Sequence, residues 1–258
     1  MTDAFYLPEG NTLVSTDWTR GPWGPDSQHA GPPSALLGRA IEALGPDGFR
    51  VARFTIEILR PIPIEPLRVE ADVVKQTRRT QHAVATLFSE QHEVARATAW
   101  RILAPPGRTA EIALEPTPHP GPEECGPFEN FWAAYEPNYL LGMEWRGAAG
   151  SFMEAGPAAA WARPRIPLVA GEEVSPLTRV LALADSGNGI SATLPFDRFL
   201  FINTELTVHL ARMPESEWVC LDAITRIGPE GVGLAQSVLW DERGRIGAGA
   251  QALLVAPR

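Results

Sequence analysis

Asp185 ends the run Leu181-Ala182-Leu183-Ala184-Asp185-Ser186-Gly187-Asn188-Gly189, the pattern of an apolar helix breaking into a turn. A carboxylate is costly to bury unpaired there, and the helix carboxyl terminus adds partial negative charge beside it. Both effects favour proton uptake, the property of a general base. The plainer reading is an exposed Asp at a frayed helix end. Gln251 lies in Gly247-Ala248-Gly249-Ala250-Gln251-Ala252-Leu253, apolar on both strand faces but for this amide. An interior amide needs partners or costs about 1–3 kcal/mol. Gly247 and Gly249 on its face leave space, as a pocket would require, although a Gln bonded to neighbouring backbone explains the amide equally well. Asn203, Glu205, Thr207 and His209 share one strand face, with Ile202, Thr204, Leu206 and Val208 on the other; such a polar stripe is ordinarily the solvent side. His29 precedes a helix start, where free backbone N–H groups favour anions. As a loop residue it needs no site to explain it.

Several chemistries are excluded. The chain has no G-x-S-x-G elbow and no phosphate-binding P-loop. Gly187-Asn188-Gly189-Ile190-Ser191-Ala192 and Gly247-Ala248-Gly249-Ala250-Gln251-Ala252 match a loose dinucleotide pattern. The first follows a helix where a strand is needed, and the second leaves no room for a helix. The five histidines show no metal-ligand spacing, so neither metal nor cofactor is expected. What remains is water activated by a carboxylate, with amides or hydroxyls orienting it.

A formal net charge of −9 over 258 residues argues against a nucleic-acid partner. The basic cluster Lys75, Arg78 and Arg79 flanks an expected hairpin turn and reads as its solvated face. Cys125 and Cys220 stand far apart and suggest no disulfide framework, which fits a reducing cytosol. The first residues carry no basic n-region or apolar h-region, and no apolar run approaches the roughly 18 residues of a membrane span. A cytoplasmic protein without a membrane part is expected.

The elements that must hold these residues come in two sets. Pro32-Pro33-Ser34 opens a helix that is apolar over most of its circumference and ends at Gly45-Pro46. Strand patterns precede it at about 12–18 and follow at about 49–60, 67–77, 80–89 and 92–103. Prolines crowd residues 105–137, which reads as a surface linker. Strands are then expected at about 142–147 and 157–165, and a helix with Ser175 as N-cap and Pro176 at its first position. Strands at about 199–212, 217–227, 232–240 and 245–256 complete the second set. Thr55-Ile56-Glu57-Ile58-Leu59-Arg60-Pro61 recurs as Thr207-Val208-His209-Leu210-Ala211-Arg212-Met213. Val94–Trp100 recurs as Arg245–Gln251, setting Trp100 against Gln251, and helices aligned on Pro33 and Pro176 set Glu42 against Asp185. The fold class is α+β, with a helix-wrapping antiparallel sheet present twice: unit one at 1–104, linker 105–137, unit two at 138–258.

This doubled frame resembles the double hotdog fold. Ser175–Thr178 to Ala184–Ser186, Ile202–Arg212 and Gly249–Gln251, with His29–Pro33 as a turn into the first helix, resemble the type II (TesB-like) acyl-CoA thioesterases. That resemblance implies hydrolysis of a fatty or aromatic acyl-CoA by an Asp, a Thr or Ser, and a Gln that hold a water. Asp185 and Gln251 fall on the first and last positions. Counting back from Arg212 puts the hydroxyl position on Asn203, whereas residue type would choose Thr204; position favours Asn203. Substrate-binding residues are expected at His29, Gly31, Thr204, Gly247 and Gly249, with the oxyanion served by N–H groups at a helix start. The resemblance also implies a homo-oligomer. Two rival readings stand beside it. One is a non-catalytic acyl-CoA-binding protein, motivated by Asn203. The other is a hotdog enoyl-CoA hydratase, for which His209 would have to partner Asp185.

Overall fold

The computed structural model describes residues 3–104, 115–128 and 136–258. Its strands are β1 (Tyr6–Glu9), β2 (Thr12–Ser15), β3 (Phe49–Ile58), β4 (Pro66–Gln76), β5 (Thr80–Ser89), β6 (His92–Leu103), β7 (Met143–Ala149), β8 (Ala158–Pro164), β9 (Phe199–Asn203), β10 (Glu205–Leu210), β11 (Val219–Ile227), β12 (Val232–Asp241) and β13 (Gly244–Pro257). The helices are α1 (Gly31–Glu42), α2 (Pro176–Ala184) and the single turn α3 (Gly187–Ile190). Period-2 alternation decides the strand faces: Gln81, Ala83, Ala85 and Leu87 are buried, while the residues between them are half-exposed.

One antiparallel sheet runs β1-β2-β4-β5-β6-β3-β10-β13-β12-β11-β8-β7, with β9 paired to the far end of β13. The order reads the same inward from each end, a pseudo-two-fold arrangement of a double hotdog. The seam is β3 against β10, where Thr55 faces Thr207 and their hydroxyls meet at 3.0 Å. The segment that repeats in sequence therefore pairs with itself across the pseudo-axis.

The helices fill the concave side and pack antiparallel on each other. A Cβ added at Gly31 would lie 2.3 Å from the Ala182 carbonyl oxygen, and one at Gly38 2.3 Å from Leu181 Cδ1. At the other end Ser175 Oγ donates to Glu42 Oε2 at 2.6 Å. Ser175 also caps α2, accepting from Thr178 N at 3.2 Å. Burial of Gly31 to Gly38 and Ile41 fits a helix enclosed by sheet and partner helix.

Three expectations are corrected or refined. The strand expected at 199–212 is two strands. Asn203 stands opposite Leu253 but Thr207 opposite Ala250, so four steps on one strand match three on the other, a β-bulge at Thr204. A bulge in β3 between Val51 and Arg53 occupies the equivalent place in unit one. The bulge breaks the polar stripe: Asn203 turns into the core, whereas Glu205, Thr207 and His209 stay on the outer face. Second, within the stretch read as a linker, 105–114 and 129–135 lie outside the described residues. The described part, 115–128, is mostly exposed but anchored, because Pro122, Cys125 and Phe128 are buried and Trp161 Nε1 donates to Pro120 O at 2.9 Å. Third, the pairing of Gln251 with Trp100 is one residue off. Thr55 pairs Thr98 as Thr207 pairs Ala250, a shift of 152 along both strands, which sets Gln251 against Ala99. Trp100 faces outward and is 38% exposed.

Candidate active site

Asp185 caps the carboxyl end of α2 and is 3% exposed. Its Oδ1 accepts from Asn203 Nδ2 at 2.7 Å and from Gln251 Nε2 at 3.4 Å. The same Gln251 nitrogen donates to the Asp185 backbone oxygen at 3.0 Å, while Gln251 Oε1 accepts from Asn188 N at 3.1 Å. One amide thus bolts β13 to both sides of the α2–α3 corner. Gly187 leaves room for it, since a Cβ there would sit 2.9 Å from Gln251 Oε1. Asn188 Nδ2 donates to Phe201 O at 3.0 Å, tying the corner to β9.

The other carboxylate oxygen faces His29: Oδ2 lies 3.1 Å from Nδ1. Gly31 N–H also donates to that Nδ1, at 3.0 Å. A neutral imidazole nitrogen offers either one lone pair or one proton. With the proton on Nε2, the single lone pair of Nδ1 is taken by the Gly31 N–H. With the proton on Nδ1, it donates to the carboxylate. Burial lowers the His29 pKa from its ordinary value, with Asp185 opposing the shift, so the ring is held toward its neutral form.

His29 is fixed from three directions. Its ring stacks on Tyr139 with centroids 3.9 Å apart. Its backbone N–H bonds Thr19 O at 2.8 Å. Neighbouring Gln28 anchors the loop, accepting from Tyr6 OH at 2.7 Å and donating to Ser15 Oγ at 2.8 Å and Pro63 O at 2.7 Å. The Tyr139 hydroxyl donates to Ala182 O at 2.8 Å and sits 3.0 Å from Ser186 Oγ. Burial pushes its phenol well above the ordinary range, so it remains a donor.

A cavity of about 320 Å³ opens onto this cluster. Asp185, Ser186, Asn188, Gly189 and Asn203 line it from unit two, and His29, Trp23 and Ile58–Ile62 from unit one. Trp23 stands edge-on to Phe201 at 5.4 Å, and Phe196 packs on Phe201 at 4.5 Å, giving one aromatic side.

The structure thus gathers Asp185, Asn203, Gln251 and His29. Gln251 is not among the cavity's lining residues and holds the carboxylate from behind. Thr204 reaches the rim, but its hydroxyl points to Ala252 O at 3.4 Å, and Asn203 makes the bond to Asp185. Gly247 and Gly249 do not line the cavity. They permit close packing instead, since added Cβ atoms would lie 2.1 Å from His209 O and 2.6 Å from Ser237 Oγ. Gly31 also serves helix contact, and it does not line the cavity. The start of α1 cannot offer a row of free N–H groups to an oxyanion: Pro32 and Pro33 have none, and Gly31 spends its own on His29. His209 is exposed on the outer face opposite Arg53, away from Asp185. Sequence reasoning missed Tyr139 and Gln28. Tyr139 had no recognisable signal beyond an aromatic beside the proline-rich stretch. Gln28 could have been flagged as an amide adjoining His29.

Two family models match, described as the acyl-CoA thioesterase N-terminal domain over residues 19–102 and the acyl-CoA thioesterase C-terminal domain over residues 113–255. The chain belongs to the acyl-CoA thioesterase family. It is a thioester hydrolase of the TesB-like, double hotdog kind. Solved structures agree in fold. A protein from Thermobifida fusca YX, described as a thioesterase II, superposes with TM-score 0.78 at 18% identity over 98% of this chain and 97% of that one. A hot dog fold protein from Alicyclobacillus acidocaldarius gives 0.74 at 18% identity, covering 98% and 95%. The acyl-CoA thioesterase II TesB2 from Mycobacterium marinum gives 0.65 at 14%, covering 97% and 93%. None of the curated proteins matches the chain. No helix among the described residues is long and apolar enough to cross a membrane.

Proposed function

We propose that this thioesterase hydrolyses fatty or aromatic acyl-CoA with Asp185 as the general base. The observation carrying this is a buried carboxylate at the floor of an apolar cavity, held by two amides with its second oxygen toward His29. Asn203 and Gln251 fix Oδ1, so Oδ2 is the oxygen that takes the water's proton. His29 lies beside that oxygen as a neutral ring, with Nδ1 bonded to Gly31 N–H. With its own proton on Nε2, His29 supplies a donor to the oxyanion; losing one such donor costs about 10²–10³ in kcat. Gln251 acts as a positioning residue. The aromatic side made by Trp23, Phe196 and Phe201 receives the acyl group. Thioester cleavage then places the proton on the leaving thiol.

The test is Asp185→Asn against wild type on a panel of acyl-CoAs, with thiol release followed continuously. A fall in kcat of at least about 100-fold is expected for a lost general base; equal rates would sink the assignment. Tight acyl-CoA binding by a wild type that never turns over would select the binding-protein reading. The Asp185–His29 contact also has the composition a hydratase needs, so water addition to crotonyl-CoA belongs in the same panel.

Two wider parts of the proposal rest on particular residues. Unbridged, buried Cys125 and Cys220 fit a reducing cytoplasm. Val232 and Leu254, paired on neighbouring strands, are 64% and 54% exposed. A second copy covering this outer face would make a homo-oligomer, which light scattering of the purified protein decides.

A further inference from the structure

The repeat places two arginines in equivalent positions and gives them different lives. Arg212 in unit two is clamped: both terminal nitrogens bond the Asp241 carboxylate, Nη1 at 2.6 Å and Nη2 at 2.5 Å, and Nη2 also donates to Gly244 O at 3.0 Å. Asp241 is completely buried. The shift of 152 that relates Thr55 to Thr207 and Thr98 to Ala250 also relates Arg60 to Arg212 and Ser89 to Asp241. Unit one has therefore lost the carboxylate that would hold Arg60, and Ser89 is turned to Glu65. Arg60 is exposed and makes no hydrogen bond or ion pair among the described residues.

Arg60 also lines the candidate active-site cavity, beside exposed Leu59. The other cations of the lining are engaged. Arg20 bonds Asp17, Pro25 O and Pro137 O, and His29 faces Asp185. The placement is defined by the seam: Ile58 N–H bonds Thr204 O at 2.9 Å, and Thr204 follows Asn203 at the floor. Two residues further on, Arg60 stands at the mouth.

We propose that Arg60 is a specificity-determining residue that receives the phosphate groups of the substrate's carrier. The inference rests on the thioesterase reading of the same cavity. A CoA thioester carries its reactive carbonyl at one end of the pantetheine arm and its phosphates at the other. A base at the floor and an unpaired guanidinium at the mouth match that order. Arginine suits the task because its planar fork meets phosphate oxygens two at a time. A chain of net charge −9 otherwise repels a polyanion. The same phosphate chemistry occurs in the phosphopantetheine arm of an acyl carrier protein.

The experiment compares wild type, Arg60→Ala and Arg60→Lys on one acyl group carried by CoA, by phosphate-free pantetheine and by an acyl carrier protein. The ratio of kcat/KM on CoA to that on pantetheine should fall about tenfold in R60A, as expected for one lost charge-assisted contact, and less in R60K. Ratios to pantetheine that stay unchanged for both CoA and the carrier protein overturn the proposal. Equal loss on CoA and carrier protein supports a phosphate contact common to both, whereas loss confined to one of them supports it and names the carrier. If wild type cleaves none of the three, the thioesterase reading fails by itself. Calorimetric titration with CoA then decides: weaker binding by R60A keeps the phosphate site, and equal binding removes it.

Discussion

His29 and Asp185 share a proton-sized gap, so pH should act on this site through the imidazole. Protonated His29 would donate Nδ1–H to Asp185, pairing the base and breaking the Gly31 N–H bond to Nδ1. Burial lowers the His29 pKa, so the acid limb of kcat/KM should lie below the ordinary histidine value of about 6.5. Substituting Tyr139 by Leu removes the ring that covers one face; the limb should then move up in pH. A limb that stays put would uncouple His29 from activity. The stability sign is fixed as well. A His with a folded pKa below its unfolded one binds more protons unfolded, so its contribution is complete above about pH 6.5 and lost as pH falls toward the folded value. His29→Gln should flatten that part of the stability–pH curve. Gln251 makes a second case. Replacing it by Ala orphans the Asn188 N–H and an Asp185 carbonyl, and each buried group left unpaired costs about 1–3 kcal/mol. Denaturant melts should register this loss separately from the fall in kcat.

At the scale of elements, the α1–α2 contact positions the site, because Gly31 adjoins His29 while Ala182 lies one turn before Asp185. The two contact glycines are not equal. A methyl at Gly31 would strike a backbone carbonyl, which cannot move without shifting α2, whereas one at Gly38 meets the tip of Leu181. Gly31→Ala should cost about 1–3 kcal/mol, the range for overpacking, and lower activity; Gly38→Ala should cost less and leave Asp185 in place. Thermal melts and kcat of the pair test this, and equal effects would refute the difference. The same elements explain what could be read beforehand. Strand periodicity and proline or serine helix starts are local, so β3 to β6 and the capped start of α2 were legible within a residue or two. Asp185 was legible because a charge ending an apolar helix is conspicuous. The bulge at Thr204 was not, since it depends on register against β13, and it reverses the face on which Asn203 stands. Trp100 was matched to Gln251 for a related reason: a one-residue slip reverses strand faces, and weakly similar repeats do not fix register. Tyr139 and Gln28 act only through long-range contacts, which leave no periodic trace in sequence.

The whole molecule is two copies joined by backbone pairing at β3–β10 and by α1 against α2, and the cavity needs both. Copy two holds the polar cluster. The residues equivalent to Asn203 and Gln251 in copy one are Val51 and Ala99, both buried in the core, and Glu42, matched to Asp185, is exposed and bonds Ser175. The proposed site is therefore one per chain, with copy one supplying His29 and the wall Ile58–Ile62. Separating the copies should therefore destroy the site while leaving its carboxylate intact. Each half alone would expose a seam strand as an unpaired edge, a template for aggregation, together with the apolar face of its helix. Expressed singly, the halves on either side of residues 105–114 should be insoluble or lack native near-UV circular dichroism. Co-expressed, they should reassemble and recover thioesterase turnover, because the seam is held by hydrogen bonds and packing; the unlinked pair forfeits only the effective concentration a covalent link provides. Activity should then depend on the concentration of the halves more steeply than that of the intact chain depends on its own. A second half that hydrolyses acyl-CoA by itself at the wild-type rate would show that His29 and the walls of copy one are dispensable, and the single composite site would have to be abandoned.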